Sequence, residues 1–146
     1  MVLDLRVPGI AHVIQLAVAP VFLLSGVGVT LTVLTNRLAR IVDRARELEA
    51  RPDHPDAALQ ARLHDDLAAL SRRAKLVNLA LTLSTTCALL VCLVIVALFM
   101  GPVLAVDLSA VIALLFVAAM GAFVGALVCF LKEIFVATAS LRIGRS

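Results

Sequence analysis

The chain has 146 residues, of which 62% are hydrophobic, and its mean hydropathy is +1.09. A soluble domain is only about half apolar, so this composition favours a lipid environment over a water-soluble fold. The net charge of +3 does not indicate a nucleic-acid partner, because Trp and Tyr are absent and the six Phe lie almost wholly in apolar runs.

Three uncharged apolar segments, at residues 10–35, 76–100 and 108–131, are each long enough to cross a bilayer. Because backbone polar groups must be satisfied internally in lipid, these segments are predicted to be transmembrane helices. The N-terminus lacks the basic cluster and cleavage site of a signal peptide, so the first segment is interpreted as a retained helix. The predicted fold is an all-α integral membrane protein forming one domain over residues 1–146.

The first span carries a line of polar and small residues at a period near 3.6. Pro20 is predicted to kink the helix, since it removes one backbone hydrogen bond. Gly26 and Gly28 at mid-membrane favour close helix packing. The alternative is a pore-lining or gating helix with a flexible centre. The line consists of His12, Gln15, Ala19, Gly26, Thr30 and Arg37.

The polar stretch at residues 36–75 holds nine basic and seven acidic residues. Two runs of apolar residues at helical spacing flank a turn at Arg51–Asp56, which contains two prolines and two potential helix caps. We therefore expect the first two spans to extend into an antiparallel helical hairpin. The apolar runs are Leu38, Ile41, Val42, Ala45 and Leu48, and then Leu59, Leu63, Leu67 and Leu70.

Arg37, Arg40 and Arg44 share one predicted face of this hairpin. Arginines next to a span ordinarily anchor the helix and contact anionic lipid headgroups. The alternative is a ring of arginines around the vestibule of an oligomeric pore, which would attract anions.

The second span has a polar stripe that includes Asn78 and Thr82. Threonine can bond its own helix backbone, whereas the Asn78 amide needs another partner, for which Asn36 or a backbone group of the first helix is a candidate. After this span, Gly101-Pro102 is predicted to break the helix, and Asp107 to cap the next one.

The third span contains Gly121-x-x-x-Gly125, a pattern that lets helix backbones approach closely. It predicts packing against other spans of the same chain or against another subunit. The three cysteines, Cys87, Cys92 and Cys129, lack a CxxC motif and are interpreted as packing residues rather than as a disulfide or zinc site.

Twelve of the thirteen basic residues lie in the 36–75 stretch or after the third span. The positive-inside rule therefore places the hairpin and the C-terminus in the cytoplasm and the N-terminus outside.

Two stretches of the sequence resemble a bacterial membrane family catalogued as "domain of unknown function 2721". They are Pro20-Val21-Phe22-Leu23-Leu24-Ser25-Gly26-Val27-Gly28 and Thr35-Asn36-Arg37-Leu38-Ala39-Arg40-Ile41-Val42-Asp43-Arg44-Ala45-Arg46. The resemblance covers most of the chain. It implies a bacterial inner-membrane protein and supplies no catalytic residue.

No charge lies within any span, which disfavours a proton relay or an ion-coupled transporter. No motif indicates an enzyme, a cofactor or a metal site; His54 and His64, beside several aspartates, lack convincing ligand spacing.

Three helices bury little surface, so we expect a homo-oligomer. The first functional hypothesis is an ion-conducting pore with anion preference, lined by the first span. The second is a structural or regulatory membrane protein whose hairpin binds anionic lipid or a cytoplasmic protein partner. The candidate pore or gate residues are His12, Gln15, Pro20, Gly26, Thr30, Arg37, Arg40 and Arg44. The candidate packing residues are Gly28, Asn36, Asn78, Thr82, Gly121 and Gly125.

Overall fold

A computed structural model describes the backbone of residues 2–51 and 56–143 and the side chains of residues 9–51 and 56–139. The chain forms three helices, α1 (Val2–Glu49), α2 (Ala57–Leu104) and α3 (Ser109–Ile143), and the described residues contain no strand. Each helix includes a stretch long and apolar enough to cross a membrane. The predicted all-α fold with three such helices is confirmed, and it indicates a multi-pass membrane protein.

The first two helices continue without interruption from the apolar spans into the polar stretch, as predicted. α1 passes through Pro20 and the span end at residue 35 before it ends at Glu49. α2 begins at Ala57, well before its span. α3 likewise continues past residue 131 to Ile143. The predicted kink at Pro20 stays a prediction.

The helices belong to two compact units, and a spacing of seven residues organises the packing in the first of them, Met1–Leu31 with Leu83–Val124. On α1 the buried residues Val13, Pro20 and Val27 are seven residues apart. Val27 packs with buried side chains of α2 and α3, including Cys87 and Ala119. A repeat of seven residues keeps one seam of a helix facing its neighbours.

The second unit, Thr32–Thr82 with Gly125–Ser146, shows the same spacing. Leu38, Leu63 and Leu67, three of the residues that predicted amphipathic helices here, pack against its apolar core. The seven-residue spacing extends to α3, where it includes a charged residue. The buried positions in this repeat are Leu34, Ile41 and Leu48 on α1, Leu70 and Val77 on α2, and Ala126 and Glu133 on α3.

α2 ends four residues later than the sequence predicted. The expected break at Gly101-Pro102 is wrong, because the helix runs through Pro102 to Leu104. Pro102 has no N–H to donate to the carbonyl four residues earlier, and the helix ends two residues beyond it. The end is a Schellman-type cap, in which Ala105 has a left-handed φ of 54° and the Val106 N–H donates to the Gly101 carbonyl at 3.2 Å.

Aspartates cap the starts of two helices. The predicted cap at Asp107 is confirmed, because its Oδ1 accepts hydrogen bonds from the Ser109 hydroxyl and from the Ser109 N–H. These two bonds lower the pKa of Asp107 below its ordinary value. At the start of α2, Asp56 Oδ1 accepts from the Ala58 N–H at 3.1 Å. Residues 52–55 of the predicted turn, with the potential cap Asp53, lie outside the described residues.

We predict that Ala105→Gly stabilises the protein by roughly 1 kcal/mol, because a side chain in the left-handed region costs energy that glycine avoids. The measurement is the free energy of unfolding in mixed micelles. The matched control is Ala39→Gly at an exposed position inside α1, which is expected to destabilise by about 1 kcal/mol. A loss of stability at both positions would contradict the role assigned to Ala105.

Candidate functional site

A buried carboxylate lies in the second unit between two arginines from different helices. Glu133 occupies a core position of the seven-residue repeat on α3. Arg37 follows Leu34 by three residues on α1, and Arg73 follows Leu70 by three residues on α2. Each arginine therefore lies next to the row of buried residues on its own helix. This equivalent placement brings both side chains to the same level of the second unit.

The two arginines bind opposite oxygens of the carboxylate. Arg37 Nε donates to Glu133 Oε2, and Arg73 Nε donates to Glu133 Oε1 at 3.0 Å. The Arg37 guanidinium also lies over the Phe130 ring, 5.5 Å from its centroid. The Glu133 side chain is 0% exposed, whereas those of Arg37 and Arg73 are 31% and 24% exposed. All three helices therefore contribute to one charged layer.

Electrostatics explains why two arginines accompany one glutamate. Removing a carboxylate from water costs on the order of several kcal/mol, and a charged partner must offset that cost. Two charge-assisted hydrogen bonds satisfy both oxygens, and the aromatic face of Phe130 adds a cation–π contact to Arg37. The cluster keeps one net positive charge, and the side chains of Arg37 and Arg73 remain partly exposed.

Further basic side chains surround this cluster at the ends of the uncharged spans. Arg40, Arg72, Lys75 and Lys132 are all exposed. We call these four residues together with Arg37 and Arg73 the basic belt. The belt has six basic residues, and Glu133 is the one acidic residue among them. The rest of the described polar stretch, residues 43–51 and 56–66, holds four basic and six acidic residues, so positive charge is concentrated next to the spans.

The candidate pore or gate residues fall on different faces of α1. Pro20 is buried, Thr30 and Arg37 are half-buried, and the others are exposed. Thr30 donates to the carbonyl of Gly26 at 3.0 Å. Arg44 pairs with Glu47 of its own helix at 3.2 Å. The exposed candidates are His12, Gln15, Gly26, Arg40 and Arg44.

Most of the candidate packing residues are exposed. Thr82 donates to the carbonyl of Asn78 at 2.9 Å, the self-satisfaction expected of threonine. The hydrogen bond considered between Asn36 and Asn78 is not formed, and both side chains face outward.

The candidate glycines differ in their surroundings. Beyond the adjacent residues and the local helix backbone, no described atom lies within 4 Å of a Cβ added at Gly28 or Gly121. Gly125 is half-buried. Contact of the first two glycines with another molecule stays a prediction.

Glu133 was missed by the sequence interpretation. It directly follows Lys132 at the end of an uncharged span, so the sequence suggests an exposed charged residue at the span end. The available signal was the spacing Ala119–Ala126–Glu133, which places a carboxylate in the core column of a long helix.

Among residues 9–51 and 56–139, no three His, Cys, Asp or Glu side chains are grouped closely enough to hold a metal ion.

We predict that Arg37→Met combined with Arg73→Met destabilises the protein by about 3–5 kcal/mol, because Glu133 becomes a buried charge without a partner. Adding Glu133→Leu should recover a large part of this loss, since an apolar residue fits the core position. The free energy of unfolding in mixed micelles is the measurement, with exposed Arg40→Met as the control. A triple variant less stable than the double variant would show that the carboxylate is not compensated by these arginines.

Comparison with known proteins gives one relationship. Neither a search of curated proteins nor a search of solved structures found a match. A family described as "Protein of unknown function (DUF2721)" matches residues 17–143, a range that contains all three charged residues of the buried cluster. Because this match covers most of the chain and agrees with the resemblance noted in α1, the protein belongs to that family.

Proposed function

We propose that this protein is a structural, non-enzymatic membrane protein that binds anionic lipid headgroups through its basic belt. The observation that carries the proposal is the concentration of positive charge where the three spans end. Six basic residues occur there with one carboxylate, and that carboxylate is buried between Arg37 and Arg73. The belt therefore offers an excess of positive charge toward its surroundings.

The arrangement of the belt fits a headgroup layer. Arg40, Arg72, Lys75 and Lys132 are exposed and have no acidic partner among the described residues. Glu133 holds the two remaining guanidinium groups in fixed positions through their Nε atoms. A basic residue near an anionic membrane surface contributes about 1 kcal/mol to binding, so the four exposed residues together supply substantial affinity.

The proposed location is the inner membrane of a bacterium, with the belt on the cytoplasmic side. Basic residues near span ends are retained in the cytoplasm, and twelve of thirteen lie on the belt side of the spans. The N-terminus then faces outward. The polar halves of α1 and α2 extend beyond the belt, and binding of a cytoplasmic protein to them stays a prediction.

We expect that replacing Arg72, Lys75 and Lys132 by Gln weakens binding of phosphatidylglycerol roughly 100-fold, at about 1 kcal/mol for each lost charge. Retention of this lipid on the purified protein, measured by native mass spectrometry against phosphatidylcholine, gives the readout. Binding should also weaken as salt rises, because exposed charges are screened.

The matched control replaces Arg46, Arg51 and Arg62 by Gln. These three residues are also exposed but lie farther from the spans. The control removes the same net charge and should leave lipid retention nearly unchanged. Equal losses in the two variants would show that total charge, rather than the belt, attracts the lipid.

The ion-conducting pore remains a second candidate, supported by the exposed polar residues His12, Gln15 and Arg40 on α1. It has less support than the lipid-binding role, because Arg37 pairs with Glu133 inside the protomer and Arg44 pairs with Glu47. Arg37 is therefore not free to line a vestibule, and the positive charge of the exposed Arg44 is partly offset by Glu47.

A chloride-flux assay in liposomes tests the pore. We expect no flux above that of protein-free liposomes. Flux that loses anion preference in an Arg40→Glu variant would instead favour conduction.

A further inference from the structure

A second seven-residue pattern runs along the exposed side of α1. The pattern has ten residues, and the intervals between them alternate between three and four positions, as in a helix face that packs against a partner helix. All ten are exposed, with Phe22 at 73% and Val29 at 66%. We call this set the outer seam. One column of the seam is His12, Ala19, Gly26, Val33 and Arg40, and the other is Gln15, Phe22, Val29, Asn36 and Asp43.

Polar groups on the outer seam lack partners within the protomer. The side chains of His12 and Gln15 in the first span, and of Asn36 at its end, make no hydrogen bond to the described part of the chain. Polar side chains on a membrane helix gain about 1 kcal/mol from a hydrogen bond to another helix. A helix with the same polar groups at the same depths can provide those bonds.

The charges on the seam are also complementary. Arg40 and Asp43 are exposed, and neither forms an ion pair with a described residue. They are three residues apart, or about 4.5 Å along the helix axis. Copies of a membrane protein insert in the same direction, so two α1 helices that meet side by side are parallel. Arg40 of each copy then lies about 4.5 Å along the axis from the level of Asp43 of the other copy, so the interface can form two equivalent ion pairs.

The centre of the seam permits close approach. Gly26 is exposed, and no neighbouring atom lies within 4 Å of a Cβ added there. A glycine at a helix crossing lets two backbones come together. Small and polar layers, at His12, Gln15, Gly26 and Asn36, thus alternate with the apolar layers of the seam.

We propose that α1 pairs in parallel with α1 of a second copy through the outer seam, about a two-fold axis perpendicular to the membrane. The same surface on both copies forms the contact, as in most homodimers. The partner is therefore another copy of this chain. This pairing goes beyond lipid binding by the basic belt. It shares Arg40 with the belt, but not Arg72, Lys75 and Lys132, which the lipid-binding test replaces.

Two glycines provide a matched test. Gly26 belongs to the outer seam, whereas Gly28 lies two residues away on another exposed column, also with open space around its Cβ position. We expect Gly26→Leu to raise the dimer dissociation constant in zwitterionic liposomes at least about tenfold, because the side chain separates the helices. Gly28→Leu should leave it unchanged. Fluorescence energy transfer between labelled copies, followed on lipid dilution, measures both constants.

Charge exchange tests the pairing at the other end of the seam. Arg40→Asp and Asp43→Arg should each weaken association, because each places like charges in adjacent layers. The double variant should restore it. Zwitterionic lipid keeps the result separate from headgroup binding by the belt, so failure here leaves the lipid proposal standing.

Three results would overturn the proposal. A protein that stays monomeric at high protein-to-lipid ratio would show that lipid alone covers the seam. A dimer more sensitive to Gly28→Leu than to Gly26→Leu would place the contact on another face. A ring of more than two subunits would exclude the two-fold pairing and favour a pore axis.

Discussion

A carboxylate shielded from water at the end of a transmembrane span constrains everything around it. Glu133 has 0% exposure, so its charge must be matched by groups within hydrogen-bonding distance. Arg37 and Arg73 provide that match from the other two helices, and Phe130 supports one of them. The second unit therefore requires a specific layer of three charges.

Hydropathy alone predicted much of the fold. Uncharged stretches of about 20 residues can only be helices in lipid, and the leucines beyond residue 35 predicted that α1 and α2 continue. The failure at Gly101-Pro102 has a local reason. Pro102 removes one backbone N–H, yet the chain leaves the helix only at the left-handed residue Ala105, three residues later. The cap at Ala105 uses a left-handed residue other than glycine, so the sequence carried no obvious stop signal there.

The sequence shows only part of the candidate site, because a period of 3.6 residues does not match the seven-residue repeat with which α1 packs. A straight helix drifts by about 20° per seven residues relative to a 3.5 period. Over the length of α1, residues selected at a period of 3.6 therefore come from two different faces of the helix. His12, Gly26 and Arg40 lie on the exposed column, whereas Thr30 and Arg37 lie beside the packed seam. The partner of Arg37 was beyond reach, since pairing it with Glu133 requires the three-dimensional packing of α3.

The buried cluster also bears on how the helices find their alignment during folding. Apolar residues that recur every seven positions allow several alignments of nearly equal energy, because a helix that slides by seven residues buries a similar set of side chains. For α3, sliding by seven residues would set Ala126 beside Arg37 and Arg73 and move Glu133 to the layer of Arg44, where Asp66 takes the position equivalent to Arg73. Such a misaligned state would leave Arg37 and Arg73 without an acidic partner and would bring the carboxylate near another acidic residue. The Arg37–Glu133–Arg73 layer therefore selects one vertical alignment among several that hydrophobic packing alone would leave nearly equal in energy.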